Sequence, residues 1–164
     1  MALVTLKSQA ITDQDAGVAV NAYNANGGVR SSIGLLTANN NDNIGSTYRL
    51  ARVPSNARMT DLSLFCVAIT TGAGDVGLYR TSADGGAVVD ADFFTAAQSI
   101  ATASPGINVL GGNLVSPANR NKRLWELVPG ALTSDPGIYY DIVITLTAAT
   151  TGAGAVGVEA KWVV

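Results

Sequence analysis

Residues 61–78 read DLSLFCVAITTGAGDVGL, and eighty residues later 141–158 read DIVITLTAATTGAGAVGV. Asp61 matches Asp141, Leu62 matches Ile142, Leu64 matches Ile144, Cys66 matches Leu146 and Ala68 matches Ala148. Thr-Thr-Gly-Ala-Gly then recurs unchanged at 70–74 and 150–154, followed by Val76 and Leu78 in one copy and Val156 and Val158 in the other. Apolar residues at every second position share one face of a strand. Each copy is therefore expected to be one β-hairpin, with Gly72 and Gly74, and likewise Gly152 and Gly154, taking positive φ in a tight connection. The remaining positions differ between the copies. Ser63, Phe65, Val67 and Ile69 are mostly apolar, whereas Val143, Thr145, Thr147 and Ala149 are more polar. A strand apolar on both faces is normally covered on both, so either another part of the chain or another subunit is expected over the first copy.

Composition points the same way. Only 13% of the 164 residues are charged against 48% hydrophobic, and 18 glycines accompany many Thr, Ser, Asn and Val. That mixture favours strands and turns in a single domain large enough to need no disulfide or metal support. The formal charge of -2 gives no field that would draw the chain onto nucleic acid or an anionic membrane. Mean hydropathy is +0.27, which raises the question of a membrane span. The long uncharged stretch 93–118 is broken by Pro105, Gly111, Gly112 and Pro117, and 142–158 is short, Thr-rich and glycine-broken, so neither reads as an apolar helix. Lys7 follows the first apolar residues with no hydrophobic segment behind it, unlike a secretory signal. A soluble protein made in a cytoplasm is expected. Cys66, the only cysteine, falls on an alternating apolar face and reads as a small buried hydrophobe.

Outside the repeat, residues 1–28 read as an N-terminal arm, too irregular for a core element, and 29–164 as one β-sandwich domain. Leu3, Thr5 and Lys7 fit a short extended piece, Tyr23 is the main exposed aromatic candidate, and Asn26-Gly27-Gly28 offers a turn. Val29, Ser31, Ile33, Leu35 and Thr37 alternate against Arg30, Ser32 and Gly34, and 44–53 alternates similarly. Asp90 with Phe93, Phe94, Ala97, Ile100 and Ala101 at three- and four-residue spacing predicts a short capped helix. Strands are expected at 107–110 and 114–115, a helical turn or irregular crossover at 119–128, and a final strand through Val158, Ala160, Trp162 and Val164. Seven or eight strands in all make an all-β sandwich, with a jelly roll preferred.

Catalytic chemistry is hard to find. The chain has no histidine, which removes the commonest general base and the usual zinc sites. TTGAG lacks the Lys-Ser/Thr of a phosphate-binding loop. Asp61 with Asp141 resembles a catalytic pair only until their equivalence in the repeat is noticed, and Asp90 with Asp92 lacks a calcium-loop pattern. No enzyme activity, cofactor or metal is expected. Arg49, Arg52 and Arg58, and separately Arg120, Lys122 and Arg123, form basic groups that suit ion pairs within the fold or across subunits.

The runs IGSTYRLARVPSNAR at 44–58, DVGLY at 75–79, GGAVVDADFF at 85–94, NRNKRLWEL at 119–127 and DPG at 135–137 resemble the head decoration, or cement, proteins of tailed bacteriophages. The resemblance spans about residues 27–164. It implies a jelly-roll or β-sandwich domain, typically trimeric, on the outer surface of the virion, with the major capsid protein and further copies of itself as partners. It implies no active site, nucleic acid or membrane. The expected interface residues are Phe65, Val67 and Ile69 from the first copy, Arg49, Arg52 and Arg58 from the basic group, and Leu3, Val4 and Leu6 from the arm. A receptor- or carbohydrate-binding module of a tail fibre is the alternative within the same fold class.

Overall fold

The structure is a computed structural model that describes residues 3–17, 28–130 and 132–164. Tyr23 and most of the expected turn at Asn26 lie outside the described residues. Among the described residues nine strands are formed: β1 Thr5–Lys7, β2 Arg30–Ala38, β3 Thr47–Pro54, β4 Arg58–Cys66, β5 Ala73–Arg80, β6 Val88–Ser99, β7 Ser104–Asn108, β8 Tyr139–Ala148 and β9 Gly154–Val163. Two short α-helices, α1 Gln9–Asp15 and α2 Leu124–Leu127, accompany them. The first sheet runs β1-β3-β8-β5-β6 and the second β2-β9-β4-β7. Apart from β1, which pairs parallel to β3, the strand pairs are antiparallel. The all-β sandwich is as expected, and its interleaved strand order is that of a jelly roll.

The repeat is real, but its copies are not hairpins. β4 and β5 of the first copy lie in opposite sheets, as do β8 and β9 of the second. Each copy is an arch across the sandwich, and the two arches interlock because β4 pairs with β9 and β5 with β8. Alternation specifies which side of a strand is buried, not which strand lies beside it, so a hairpin and an arch read alike. The pairing relates β3-β8-β5-β6 to β7-β4-β9-β2 by an approximate two-fold. Leu62, Leu64, Val156 and Val158 from one sheet and Val76, Leu78, Ile142 and Ile144 from the other are at most 1% exposed and make the centre of the core.

Where the two TTGAG turns meet, Thr151 N–H donates to the Thr70 carbonyl at 3.1 Å and the Thr71 and Thr151 hydroxyls lie 3.0 Å apart. The positive φ belongs to Thr70 and Thr71, at 44° and 59°, and not to the glycines. Gly72, Gly74 and Gly154 instead admit Ile100, Ile144 and Val67, whose side chains occupy the space a Cβ would take.

The predicted helix at 90–101 is the extended edge strand β6. Leu78 pairs with Asp90 and Val76 with Thr95, so two steps along β5 correspond to five along β6. The resulting bulge lets the adjacent Phe93 and Phe94 both be buried, with rings edge-to-face at 5.0 Å. A bulge replaces period two with an irregular spacing, and here that spacing imitated a helix. Asp90 is therefore no helix cap. A 3-10 turn at Gly112–Leu114, where a strand was expected around 114–115, covers this edge. Of the two readings open for 119–128, a helical turn or an irregular crossover, the structure has a helical turn, α2.

Residues 3–17, expected to stand apart as an arm, complete the sandwich margin. β1 extends the first sheet, and α1 lies against β2 and β3, one strand from each sheet. Ser8 caps α1 by accepting the Ile11 N–H, and its hydroxyl also donates to the Leu50 carbonyl at 2.6 Å. Ile11 is fully buried. A helix this short carries too little periodicity to read from sequence.

Candidate functional site

The outer faces of the two sheets are built differently. On the first sheet Asp141, fully buried, accepts from Arg49 Nη1 at 3.0 Å and from Arg52 Nε at 2.6 Å. Arg49 also donates to the carbonyls of Arg80 and Gly86 at 2.8 and 2.7 Å, and its guanidinium lies 5.4 Å from the Tyr79 ring centre. Arg52 reaches Asp15 of α1 at 2.7 Å, and Lys7 reaches the same carboxylate at 2.8 Å. Arg49 and Arg52, expected at an interface, thus both pair with Asp141 within the chain, and Arg52 also fastens α1 to β3 through Asp15.

That fastening responds to acid. Burial pushes the Asp15 carboxyl up, but hydrogen bonds from Lys7 and Arg52 outweigh it and hold its pKa below the ordinary carboxylate value. A folded pKa below the unfolded one means stability present above the unfolded value, about 3.9, and lost as pH falls through the folded value. The stability of Asp15→Asn is expected to depend less on pH below about 4 than that of the parent. Urea midpoints measured from pH 6 downward test this, and parallel profiles would contradict it.

On the second sheet the outward positions carry no such network over most of their area. Strand register places Leu35, Gly157 and Phe65 in one row across β2, β9 and β4, with Thr37 and Ala155 in the next. Val67 continues the face just beyond β4, its N–H donating to the Ala155 carbonyl at 3.0 Å. Phe65 lies over Gly157, whose hydrogen leaves room for the ring. Leu35, Phe65, Cys66, Val67, Pro105 and Ala155 line a shallow concavity of about 320 Å³. Around it Ile33, Leu35, Val67 and Ile107 are 58%, 53%, 50% and 43% exposed. Farther along the sheet the face turns polar, where Lys161 lies 3.5 Å from Asp61 and 3.3 Å from Glu159.

Of the expected interface residues, Phe65 and Val67 lie on this open face. Ile69 is fully buried in the core instead. Arg58 is half-buried. Leu3 and Val4 lie at the opposite margin beside β3, where Leu3 is 68% exposed and Leu6 packs on the core. Cys66 is buried with its sulfur 3.4 Å from the Thr102 carbonyl, and burial pushes the thiol pKa up, as suits an inert side chain.

Ile33 and Leu35 are not among the expected interface residues, although the signal is present. Their alternation predicts a strand, and the apolar set of a strand is ordinarily the inward one. Here Gly34, Leu36 and Ala38 face inward, and at Gly34 β2 passes too close to the Leu50 carbonyl of β3 to admit a Cβ. The apolar residues point to solvent as a result.

No protein-family model matches the chain, and no curated protein matches it in sequence. Among solved structures, it is similar to a chain in the capsid of Ralstonia phage GP4, with a TM-score of 0.66 and 13% identity over 98% of this chain and 97% of that one. It is also similar to a chain in the capsid asymmetric unit of cyanophage Pam1, with a TM-score of 0.53 and 15% identity over 89% and 91% of the two chains. At these identities the likeness is one of fold, extending over nearly the whole length of each chain.

Proposed function

We propose that the chain is a non-enzymatic structural protein of a bacteriophage capsid that decorates and cements the shell, docking through the open face around Phe65 and Val67. The observation that carries the docking surface is the repeat. Thr145 and Thr147 occupy on the first sheet the positions that Phe65 and Val67 occupy on the second. Polar residues therefore satisfy the fold there, and the half-buried Phe65 with the exposed Val67 is not explained by folding alone. Contiguous exposed apolar surface with a polar rim is the mark of a contact site. The whole-length likeness to chains of two phage capsids supports the virion setting, as does the resemblance to decoration proteins. A decoration protein bound at capsomer junctions would hold adjoining coat subunits together against internal pressure, and linked contacts would multiply its hold.

The test is co-sedimentation with capsid shells of the same phage that lack this protein. Leu35→Glu together with Val67→Glu is expected to leave the thermal transition near that of the parent, because both positions are half exposed. Binding should fall roughly a hundredfold or more, since an unpaired carboxylate in an apolar contact costs at least about 3 kcal/mol. Binding at parental strength by the folded variant would refute this docking face.

A further inference from the structure

A second surface carries charges that the monomer leaves uncompensated. Lys7, Arg49, Arg52 and Lys161 form ion pairs among the described residues. Arg120, Lys122 and Arg123 form none there, and all three are exposed in the segment joining the 3-10 turn to α2. This segment is a shaped projection. Leu114 and Leu124 anchor its ends at 0% and 1% exposure. The Asn119 amide ties it back to the Asn113 carbonyl at 2.8 Å, and Lys122 N–H donates to the Asn119 carbonyl at 3.0 Å. Two acids nearby are already engaged in part: the Glu126 carboxylate accepts the Arg123 backbone N–H at 2.6 Å, and Asp135 sits where its charge interacts with Arg123. Arg120, Lys122, Val115 and Pro117 are all exposed in the same short segment, and the Arg120 N–H donates to the Pro117 carbonyl at 3.3 Å.

An opposite patch lies just across the 3-10 turn. Asp90 and Asp92 stand close together on the long edge strand β6, near the exposed Val88. Asn113, at the start of the basic projection, donates to Asp90 at 3.2 Å. The acidic and basic patches are therefore neighbours on one side of the molecule, separated by amides and without an ion pair between them. Burial and the adjacent Asp92 carboxyl raise the pKa of Asp90, a sign that the pair lacks a cation in the isolated chain.

We propose that copies of this chain associate with one another by placing the Arg120–Lys122 projection of one copy against the Asp90–Asp92 edge of the next. A second copy fits this surface because it brings both charge signs in the same adjacent arrangement, with Val115 and Val88 supplying apolar contact beside them. The opposite charges would also fix orientation. The contact rests on the reading of the chain as an assembling capsid protein. It is tested on isolated protein, away from the Phe65–Val67 face, so either reading can fail alone.

Sedimentation velocity at low and high ionic strength is the first measurement. An oligomer at low salt that dissociates as salt is raised is expected, because exposed charge pairs are screened. Arg120→Glu with Lys122→Glu is expected to abolish the oligomer, as is Asp90→Lys with Asp92→Lys. Mixing the two variants should restore a complex containing both, through the one contact type in which reversed charges again face each other. A parental protein that sediments as a monomer at low salt overturns the proposal. So does an oligomer indifferent to both reversals, or a mixture of the two dissociated variants that stays monomeric.

Discussion

Replacing Asp141 with alanine is expected to destabilise the protein by about 3–5 kcal/mol, the usual cost of removing one partner of a buried ion pair. The loss is large because of what stays behind. Asp141 is fully buried and Arg49 is 5% exposed, so without the carboxylate the Arg49 charge remains enclosed beside two carbonyls and the Tyr79 ring. Arg52 is less affected, since it keeps Asp15. The repeat supplies a control within the same molecule. Asp61 occupies the matching position in the other sheet, yet its side chain is 27% exposed and lies 3.5 Å from a Lys161 that is 38% exposed. Asp61→Ala is expected to cost less than about 1 kcal/mol, as exposed ion pairs do. Urea unfolding of both variants decides the matter through the midpoint, with an unchanged slope indicating that the same surface is exposed on unfolding. Equal losses at the two positions would mean that burial does not govern the pair. A domain of this kind has about 5–15 kcal/mol in total, so the Asp141 variant would lose about a fifth of it or more.

The contrast between these two aspartates shows where sequence reading succeeds. The repeat, the alternation within each copy and the equivalence of Asp61 with Asp141 are local patterns, and the strands β4, β5, β8 and β9 follow them. Pairing is a long-range property. Nothing within 61–78 distinguishes a strand that turns back on its neighbour from one that crosses to the other sheet, because both bury every second residue. The β6 bulge was illegible for a related reason: Phe93 and Phe94 are adjacent, and their joint burial depends on how far β5 and β6 drift out of register. Half of the candidate face was visible in Phe65 and Val67, whose Thr counterparts in the second copy marked them as unusual. The other half, Ile33 and Leu35, depended on the inward direction of Gly34, which is set by a strand of the opposite sheet.

Gly34→Ala is accordingly expected to cost about 3 kcal/mol or more, at or above the upper end for adding one methyl group to a packed interior. A Cβ at this position would fall on the Leu50 carbonyl. The obstruction is backbone rather than the end of a side chain, so no rotamer change relieves it. Leu50 sits at the irregularity between Arg49 and Ala51 in the pairing of β3 with β8, and its carbonyl already accepts the Ser8 hydroxyl at 2.6 Å. Relief requires β2 to move away from β3, which also loosens the seat of α1. Ile33→Ala, next along the chain but 58% exposed, is expected to stay within about 0.5 kcal/mol of the parent. Thermal unfolding of the two variants separates a requirement for glycine at 34 from a general sensitivity of β2, and a Gly34→Ala protein as stable as Ile33→Ala would show that the strands do not touch there. The same close approach turns Ile33 and Leu35 outward. On the docking proposed above, a displaced β2 should also weaken shell binding, whereas Ile33→Ala should affect binding without the loss of stability.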